Sequence, residues 1–420
     1  MINERESHMI EFIPRPRNFY IEKIKREFEK HDTVFLLGAR RTGKTCISME
    51  FEEYLRESHK PEEIRRVNFE VADRMDDTVK GLIECIDAKY EREKPYVCIL
   101  DEISAIPGWE ESVNYFMREP GRKTLICSSN KNALSAKLDA VKNGDYGVVL
   151  VLPLSLPEFI EYHQIDGEYS PEEIHRMYMT YGALPILRAS HFNRERARVV
   201  HDGSYSSIVI RDVLESSGRS EMDQNINDSV LLRRVIMTLA RNIGVNISAT
   251  GVCNIIGETE GKKPAPRTVE NYIKALLDAH FFYVSERYDL KADKMLKTLP
   301  KYYIVDRGLH TFLVNEEEQN EEKIIENNMY LEFKRRGYNV YNGKSGSDEI
   351  KFVIYKDGAR TYVELSRDLN GTGKDESLSK LRRIKDNYPK IIVVKDGDTG
   401  MTEDGIRVIN LRDFLMGTDF

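Results

Sequence analysis

Eight consecutive residues, Gly38-Ala39-Arg40-Arg41-Thr42-Gly43-Lys44-Thr45, place two glycines, a lysine and a threonine at the spacing of a phosphate cradle. Glycines let backbone N–H groups curl around phosphate oxygens. Lys44 would reach the β and γ phosphates, and the Thr45 hydroxyl would ligate Mg²⁺. An apolar, strand-like run over 33–37 precedes the octet and a helix-period segment over 46–55 follows it, which is the context the motif requires. The spacing therefore implies a nucleoside triphosphate, ATP with Mg²⁺, held by Gly38, Ala39, Arg40, Arg41, Thr42, Gly43, Lys44, Thr45 and Cys46.

A second element supplies carboxylates. Val97-Cys98-Ile99-Leu100 is an apolar run ending in Asp101-Glu102. Asp101 at such a strand end would hold the metal through water, and Glu102 would be the general base for the attacking water. The strand-like run over 123–127 ends in Ser128-Ser129-Asn130. In ATPases with this strand count a polar residue after that strand senses the γ-phosphate; Asn130 is the first candidate and Ser129 the second. Asn130 is equally placed to cap a helix over 130–142.

These groups need a scaffold. Between 33 and 152, strand-like runs at 33–37, 66–70, 96–100, 123–127 and 147–152 alternate with helical segments such as 46–55 and 79–90. That alternation predicts a five-stranded parallel sheet covered on both faces. After Pro153 the pattern is helical to about 245, with breaks at Gly182 and around 216–218. Three helical stretches and two strand-like runs (281–287, 301–305) follow. The chain closes with a helix to Arg336, strands at 338–341, 349–355 and 361–365, a helix at 375–387, a strand at 390–395 and a final strand–helix pair, read as an independent α/β unit.

Composition bounds the function. At 420 residues the chain is long enough for two or three domains, and its 32% charged and 40% hydrophobic residues are an ordinary globular balance. The net charge of -7 argues against coating nucleic acid with the whole surface, though not against a local basic patch. No segment is apolar enough to span a bilayer, and the polar start is no signal peptide. The five cysteines show no paired spacing and read mostly as core residues, which suits a reducing cytoplasm.

Taken jointly, the motifs resemble the AAA-type P-loop ATPases that carry a winged helix and a C-terminal restriction-endonuclease-like domain, prokaryotic proteins often called only ATP-binding. The resemblance rests on the phosphate loop, Leu100-Asp101-Glu102-Ile103 with Pro107-Gly108-Trp109, Pro153-Leu154-Ser155 with Glu158-Phe159, and Tyr181-Gly182-Ala183-Leu184-Pro185. It continues through Arg211-Asp212, Lys301-Tyr302-Tyr303, Asp306-Arg307-Gly308-Leu309 and Glu326-Asn327. It implies an α/β protein with an ATPase core (1–153), a helical subdomain (154–226), a winged helix (227–312) and a nuclease-like domain (313–420). Its expected activity is Mg²⁺-dependent ATP hydrolysis coupled to domain rearrangement; the rival is a slow nucleotide switch, ATP against ADP, that recruits a protein partner. Two departures bear on that choice. Ser104 stands where the family usually has Gln, and Gly144-Asp145 where it often has Gly-Arg. Arg188 or Arg211 could replace the missing arginine, and each also reads as an ion-pairing residue.

Within the winged-helix candidate, Pro266-Arg267-Thr268 opens a helix with Thr268, Asn271 and Lys274 on one exposed face, and Arg267 joins them as a candidate DNA contact. From Lys262 to Lys301 nine Lys/Arg face five Asp/Glu, a local excess of four. Such a patch suits duplex DNA phosphates, and it suits protein docking too. In the nuclease-like frame that the resemblance supplies, Glu326, Glu349 and Glu364 are the acids. Lys351 falls at the metal-binding Asp position and Ser366 at the catalytic Lys position, so nuclease chemistry is not expected. Lys351 is expected to pair with Glu364 or Glu326. Oligomeric state is left open by the sequence.

Overall fold

A computed structural model describes residues 17–69, 81, 96–163, 165, 167–215, 228–366, 372–395, 397 and 399–418. Apart from Gly81, the helix expected over 79–90 lies outside these residues, as do Cys85 and the break at 216–218.

Five strands, β1 (Thr33–Leu37), β2 (Ile64–Asn68), β3 (Val97–Asp101), β4 (Lys123–Ser128) and β5 (Gly147–Leu150), form an all-parallel sheet in the order β2-β3-β4-β1-β5. Both faces are covered, so β1 and β3 are buried at every position and read as unbroken apolar runs. One apolar cluster (Ile24, Phe28, Ile47, Phe51 and neighbours) covers the face under the helices Asn18–Phe28 and Lys44–Arg56. Another (Trp109, Val113, Phe116, Ile126) fills the other. The carboxyl ends of β1, β3 and β4 converge, which is where an open α/β sheet binds ligands.

Helices Leu156–His163, Pro171–Tyr181 and Arg194–Ser207 follow β5, in the stretch expected as a helical subdomain. Ser170 and Glu173 cap the second reciprocally, and the third runs on as a π-helix over Ile208–Glu215. The break expected at Gly182 is real (φ 86°) and has a packing cause. A Cβ there would come within 2.4 Å of Asp306 Oδ1 and 2.5 Å of the Gly308 nitrogen, and one at Gly308 within 2.1 Å of the Tyr181 carbonyl oxygen. Two glycine motifs far apart in sequence thus press backbone against backbone, fastened by the Ala183 N–H on Asp306 Oδ2 at 2.7 Å.

Helices Ser229–Arg241, Ala249–Glu260 and Pro266–Asp278 precede an antiparallel hairpin of β6 (Phe282–Asp289) and β7 (Lys294–Ile304). Ser248 caps the second helix through the Gly251 N–H. Helix Glu321–Arg335, antiparallel β8 (Asn339–Ser345), β9 (Asp348–Lys356) and β10 (Ala359–Ser366), helix Thr372–Arg383 and parallel β11 (Lys390–Val394) come next. Strands β12 (Gly400–Met401) and β13 (Arg407–Asn410) finish the sheet.

The expectation of an independent C-terminal unit is corrected here. Strand β6 pairs in parallel with β8 (Arg287 with Asn342, Tyr288 with Gly343, Asp289 with Lys344), giving one eight-stranded sheet, β12-β13-β11-β10-β9-β8-β6-β7. Hairpin strands have two edges, and short-range patterning does not say what covers the outer one. One apolar core also runs from the helical subdomain through the hairpin into the last helix.

Candidate functional site

The loop after β1 is closed by geometry only glycine accepts. A Cβ at Gly38 would lie 2.2 Å from the Val151 carbonyl oxygen, and Gly43 opens the helix Lys44–Arg56 at φ 97°. Lys44 is 5% exposed, and its Nζ donates to the carbonyls of Gly38 (2.9 Å) and Ala39 (3.1 Å), inside the loop it belongs to. Glu102 Oε1 is 3.9 Å from the same nitrogen. Thr42 is buried and donates its hydroxyl to the Ala39 carbonyl at 2.8 Å. Arg41 is exposed at φ 69°, and Thr45 and Cys46 are half-exposed at the helix start.

Asp101 ends β3, fully buried. Its Oδ2 faces Arg66 and Asn68 at 3.4 Å each, while Oδ1 has no hydrogen-bond partner among the described residues. Burial, and then the neighbouring Glu102 charge, push this carboxyl up to about 6, against the Thr45 hydroxyl, Lys44 and Arg66. A buried carboxylate oxygen without a donor, beside a threonine hydroxyl, fits a hard cation with oxygen ligands.

Glu102 turns off β3 at φ 58° and is held by Ser129, whose N–H and hydroxyl both lie 3.2 Å from Oε2. The same hydroxyl is 2.8 Å from Asp212 Oδ1, which also accepts from Arg40 Nε at 2.7 Å. Burial lifts the Asp212 carboxyl to about 6, ahead of the opposing Arg40. Asn130 donates to the Asp212 carbonyl (3.0 Å) and accepts from the Asn132 N–H (2.9 Å). Its capping role is therefore real, but it caps a 3-10 turn, Lys131–Ala133, and the only α-helix in the expected 130–142 stretch begins at Asp139. Of the two sensor candidates, Ser129 is the one on Glu102.

Sequence reasoning missed Arg17. It lies before the first helix, donates to the Thr42 carbonyl (2.8 Å) and the Leu152 carbonyl (3.1 Å), and forms a two-point pair with Glu158 at 2.8 Å. Burial opposes the Glu158 charge, yet Arg17 holds that carboxyl down to about 2. An arginine outside any motif gives no signal until the fold closes. Arg188 is half-buried, 5.9 Å above the Tyr162 ring, and Arg211 is exposed.

The two other expected sites lie elsewhere. On the helix Pro266–Asp278, Arg267 and Lys274 are exposed and Thr268 and Asn271 half-buried, with Val269, Tyr272, Ile273 and Leu276 turned inward. Near the hairpin, Glu326 is fully buried. Its Oε1 accepts from Lys301 and Tyr303 at 2.9 Å each; its Oε2 accepts from Lys351 at 2.9 Å and lies 3.6 Å from Lys323. Burial disfavours the Glu326 charge, but Lys301, Lys351 and Lys323 hold its carboxyl at about 2. Lys301 also reaches Glu349 at 2.5 Å, and Lys351 reaches Glu322 at 3.0 Å. Glu364 accepts the Lys351 backbone N–H at 2.9 Å, and burial lifts it to about 7. Lys351 thus meets both expected partners, Glu326 through its ammonium and Glu364 through its amide.

A glycine-bound loop between β1 and a helix, with paired acids ending β3 of a five-stranded parallel sheet, is the arrangement of a P-loop NTPase fold. Residues 30–160 match the AAA domain family, and residues 172–320 match a family described as a domain of unknown function (DUF8612). An uncharacterised protein of Haemophilus influenzae is 29% identical over 412 residues, covering 95% of this chain and 98% of that one. Another, from Methanocaldococcus jannaschii, is 23% identical over 367 residues, covering 84% and 78%. Among solved structures, the Walker-type ATPase of Pyrococcus abyssi aligns with a TM-score of 0.49 at 16% identity, over 71% of this chain and 95% of that chain. Among the described residues no helix is long and apolar enough to cross a membrane.

Proposed function

We propose that the protein binds and hydrolyses ATP with Mg²⁺ at the β1–β3–β4 edge and couples nucleotide state to the arrangement of its domains. Asp101 carries the reading: a fully buried carboxylate with an unpartnered oxygen beside Thr45 and the loop lysine. Lys44, now on two carbonyls of its own loop, exchanges them for the β and γ phosphates. Thr45 and Asp101 hold the Mg²⁺, which neutralises charge on the phosphate oxygens when bound. Glu102 takes the proton of the attacking water, with Ser129 fixing its orientation. Arg267, Thr268, Asn271 and Lys274 form the surface offered to duplex DNA. The C-terminal cluster has kept a nuclease frame and lost the chemistry, because the Lys351 ammonium sits on Glu326 where a cation would be ligated. Nicking of supercoiled plasmid by the parent protein with Mg²⁺ or Mn²⁺, absent from Glu364→Ala, would overturn that part.

Single-turnover hydrolysis, measured with and without duplex DNA, tests the main reading. Glu102→Gln should retain ATP and slow its cleavage by about a hundredfold or more, the range for loss of a general base. An unchanged rate removes Glu102 from that role. Held on Ser129, Glu102 also suits the alternative of a slow switch that recruits a protein partner; negligible wild-type turnover with tight ATP binding would favour it.

A further inference from the structure

Asp212 comes from the helical subdomain, outside the phosphate loop and both acids, yet it is 3% exposed and reaches the centre of the site. Its segment, Ile208–Glu215, is π-helical. A widened turn changes which side chains a helix aims at a neighbour and is often found at functional sites. Here Oδ1 receives two donors from two different walls of the site, Arg40 of the loop at 2.7 Å and Ser129 after β4 at 2.8 Å. Ser129 touches Glu102, Glu102 lies 3.9 Å from Lys44 Nζ, and that nitrogen serves the β and γ phosphates. On the ATP-binding reading, this chain of contacts would put Arg40 near the terminal phosphate.

Two competitions meet at this one carboxylate oxygen. The Ser129 hydroxyl carries a single proton, so it donates to Asp212 at 2.8 Å or to Glu102 at 3.2 Å, not to both. The Arg40 guanidinium is held on Asp212, while a terminal phosphate offers it two or three anionic oxygens in the geometry arginine prefers.

We propose that Asp212 is a positioning residue that reports the terminal phosphate to the helical subdomain. Without nucleotide it holds Arg40 and draws the Ser129 hydroxyl from Glu102. When a γ-phosphate takes Arg40, the tie between loop and subdomain loosens. This rests on the ATP-binding reading above and adds the element that senses which nucleotide is bound.

The test is equilibrium binding of ribose-labelled fluorescent ATP and ADP to the full chain. Removing the Asp212 charge weakens the hold on Arg40, so Asp212→Asn should tighten ATP by about three- to tenfold, in the lower part of the range of coupling between directly contacting groups, and ADP by clearly less. In an Arg40→Gln background the same substitution should change neither affinity. A merely structural Asp212 would weaken both nucleotides when replaced. Weakened or unchanged ATP binding in Asp212→Asn, or equal tightening without Arg40, overturns the proposal. Arg40→Gln alone is a second reading, independent of how well Asp212→Asn folds: it should narrow the preference for ATP over ADP, and an unaltered preference also overturns it. Failure of the wild type to bind either nucleotide, or undiminished binding by Lys44→Ala, would instead defeat the underlying reading.

Discussion

Two places in this molecule gather lysines and carboxylates, and they do opposite things with them. At the phosphate loop, Lys44 rests on carbonyls of its own loop, and Asp101 is buried with one oxygen unserved. Near the hairpin, both oxygens of buried Glu326 are claimed by Lys301, Tyr303 and Lys351. The residue types are the same. What separates a site from a brace is whether the buried charges are already satisfied, since an unserved one gains most from a ligand.

The largest effect should come from the unsatisfied region. Lys44→Ala removes the cation meant for the phosphates and should weaken labelled ATP by about a hundredfold or more, with thermal stability little changed because no buried carboxylate depends on Lys44 alone. Comparable ATP affinity would erase the distinction. In the satisfied region the effect should fall on stability instead. Glu326→Ala takes from Lys301 and Lys351 the buried carboxylate they share, leaving each one acid, Glu349 and Glu322, and should cost about 1–3 kcal/mol in urea unfolding, while ATP affinity stays at the parent value. A stability loss below about 1 kcal/mol would mean that the ion pairs are dispensable.

Glu364 sharpens the contrast through pH. Its folded carboxyl sits at about 7, above the ordinary 4.5, so the protonated form is favoured by folding. Stability should therefore fall as pH rises from about 4.5 to 7 and level off above it, by on the order of 2–3 kcal/mol. Glu364→Gln carries no ionisable group there and should remove its share of this slope, leaving that of Asp101 and Asp212; thermal melts across the range would show the difference. The smallest effect concerns the exposed helix. Arg267→Ala with Lys274→Ala should lower duplex affinity modestly and reduce the log–log salt slope by about 2. An unchanged slope would turn that surface over to protein docking.

Much of the site was legible because its chemistry is local. Gly38 through Thr45 and Asp101-Glu102 are contiguous, and each is placed by the strand it terminates. Strands β1, β3 and β4 were legible for the same reason, since buried parallel strands are short apolar runs, whereas β2, Ile64–Asn68, is half polar and starts two residues before the expected run. What escaped depends on contacts between distant segments. Arg17 meets Thr42 and Glu158 only after β5 leads into the helical subdomain. Asp212 stands out in the sequence only through a resemblance, and its aim needs a π-turn that no periodicity announces. Asn130 drew attention by position and adjacent Ser129 took the contact, a one-residue difference that register decides. The pairing of β6 with β8 was invisible because nothing in either strand names its neighbour.

That pairing also limits how this protein can be cut or rebuilt. Strand β6 has β7 on one side and β8 on the other, and β8 is chain that follows the helix Glu321–Arg335. A version ended near residue 312 would leave β6 an open edge, with Lys301 stripped of both its glutamates. Unpaired strand edges recruit other strands, and a buried ammonium without a carboxylate is costly. Such a fragment should be recovered as aggregates, whatever the condition of its nucleotide site. A lineage could therefore change the C-terminal acids far more easily than it could discard the strands that carry them.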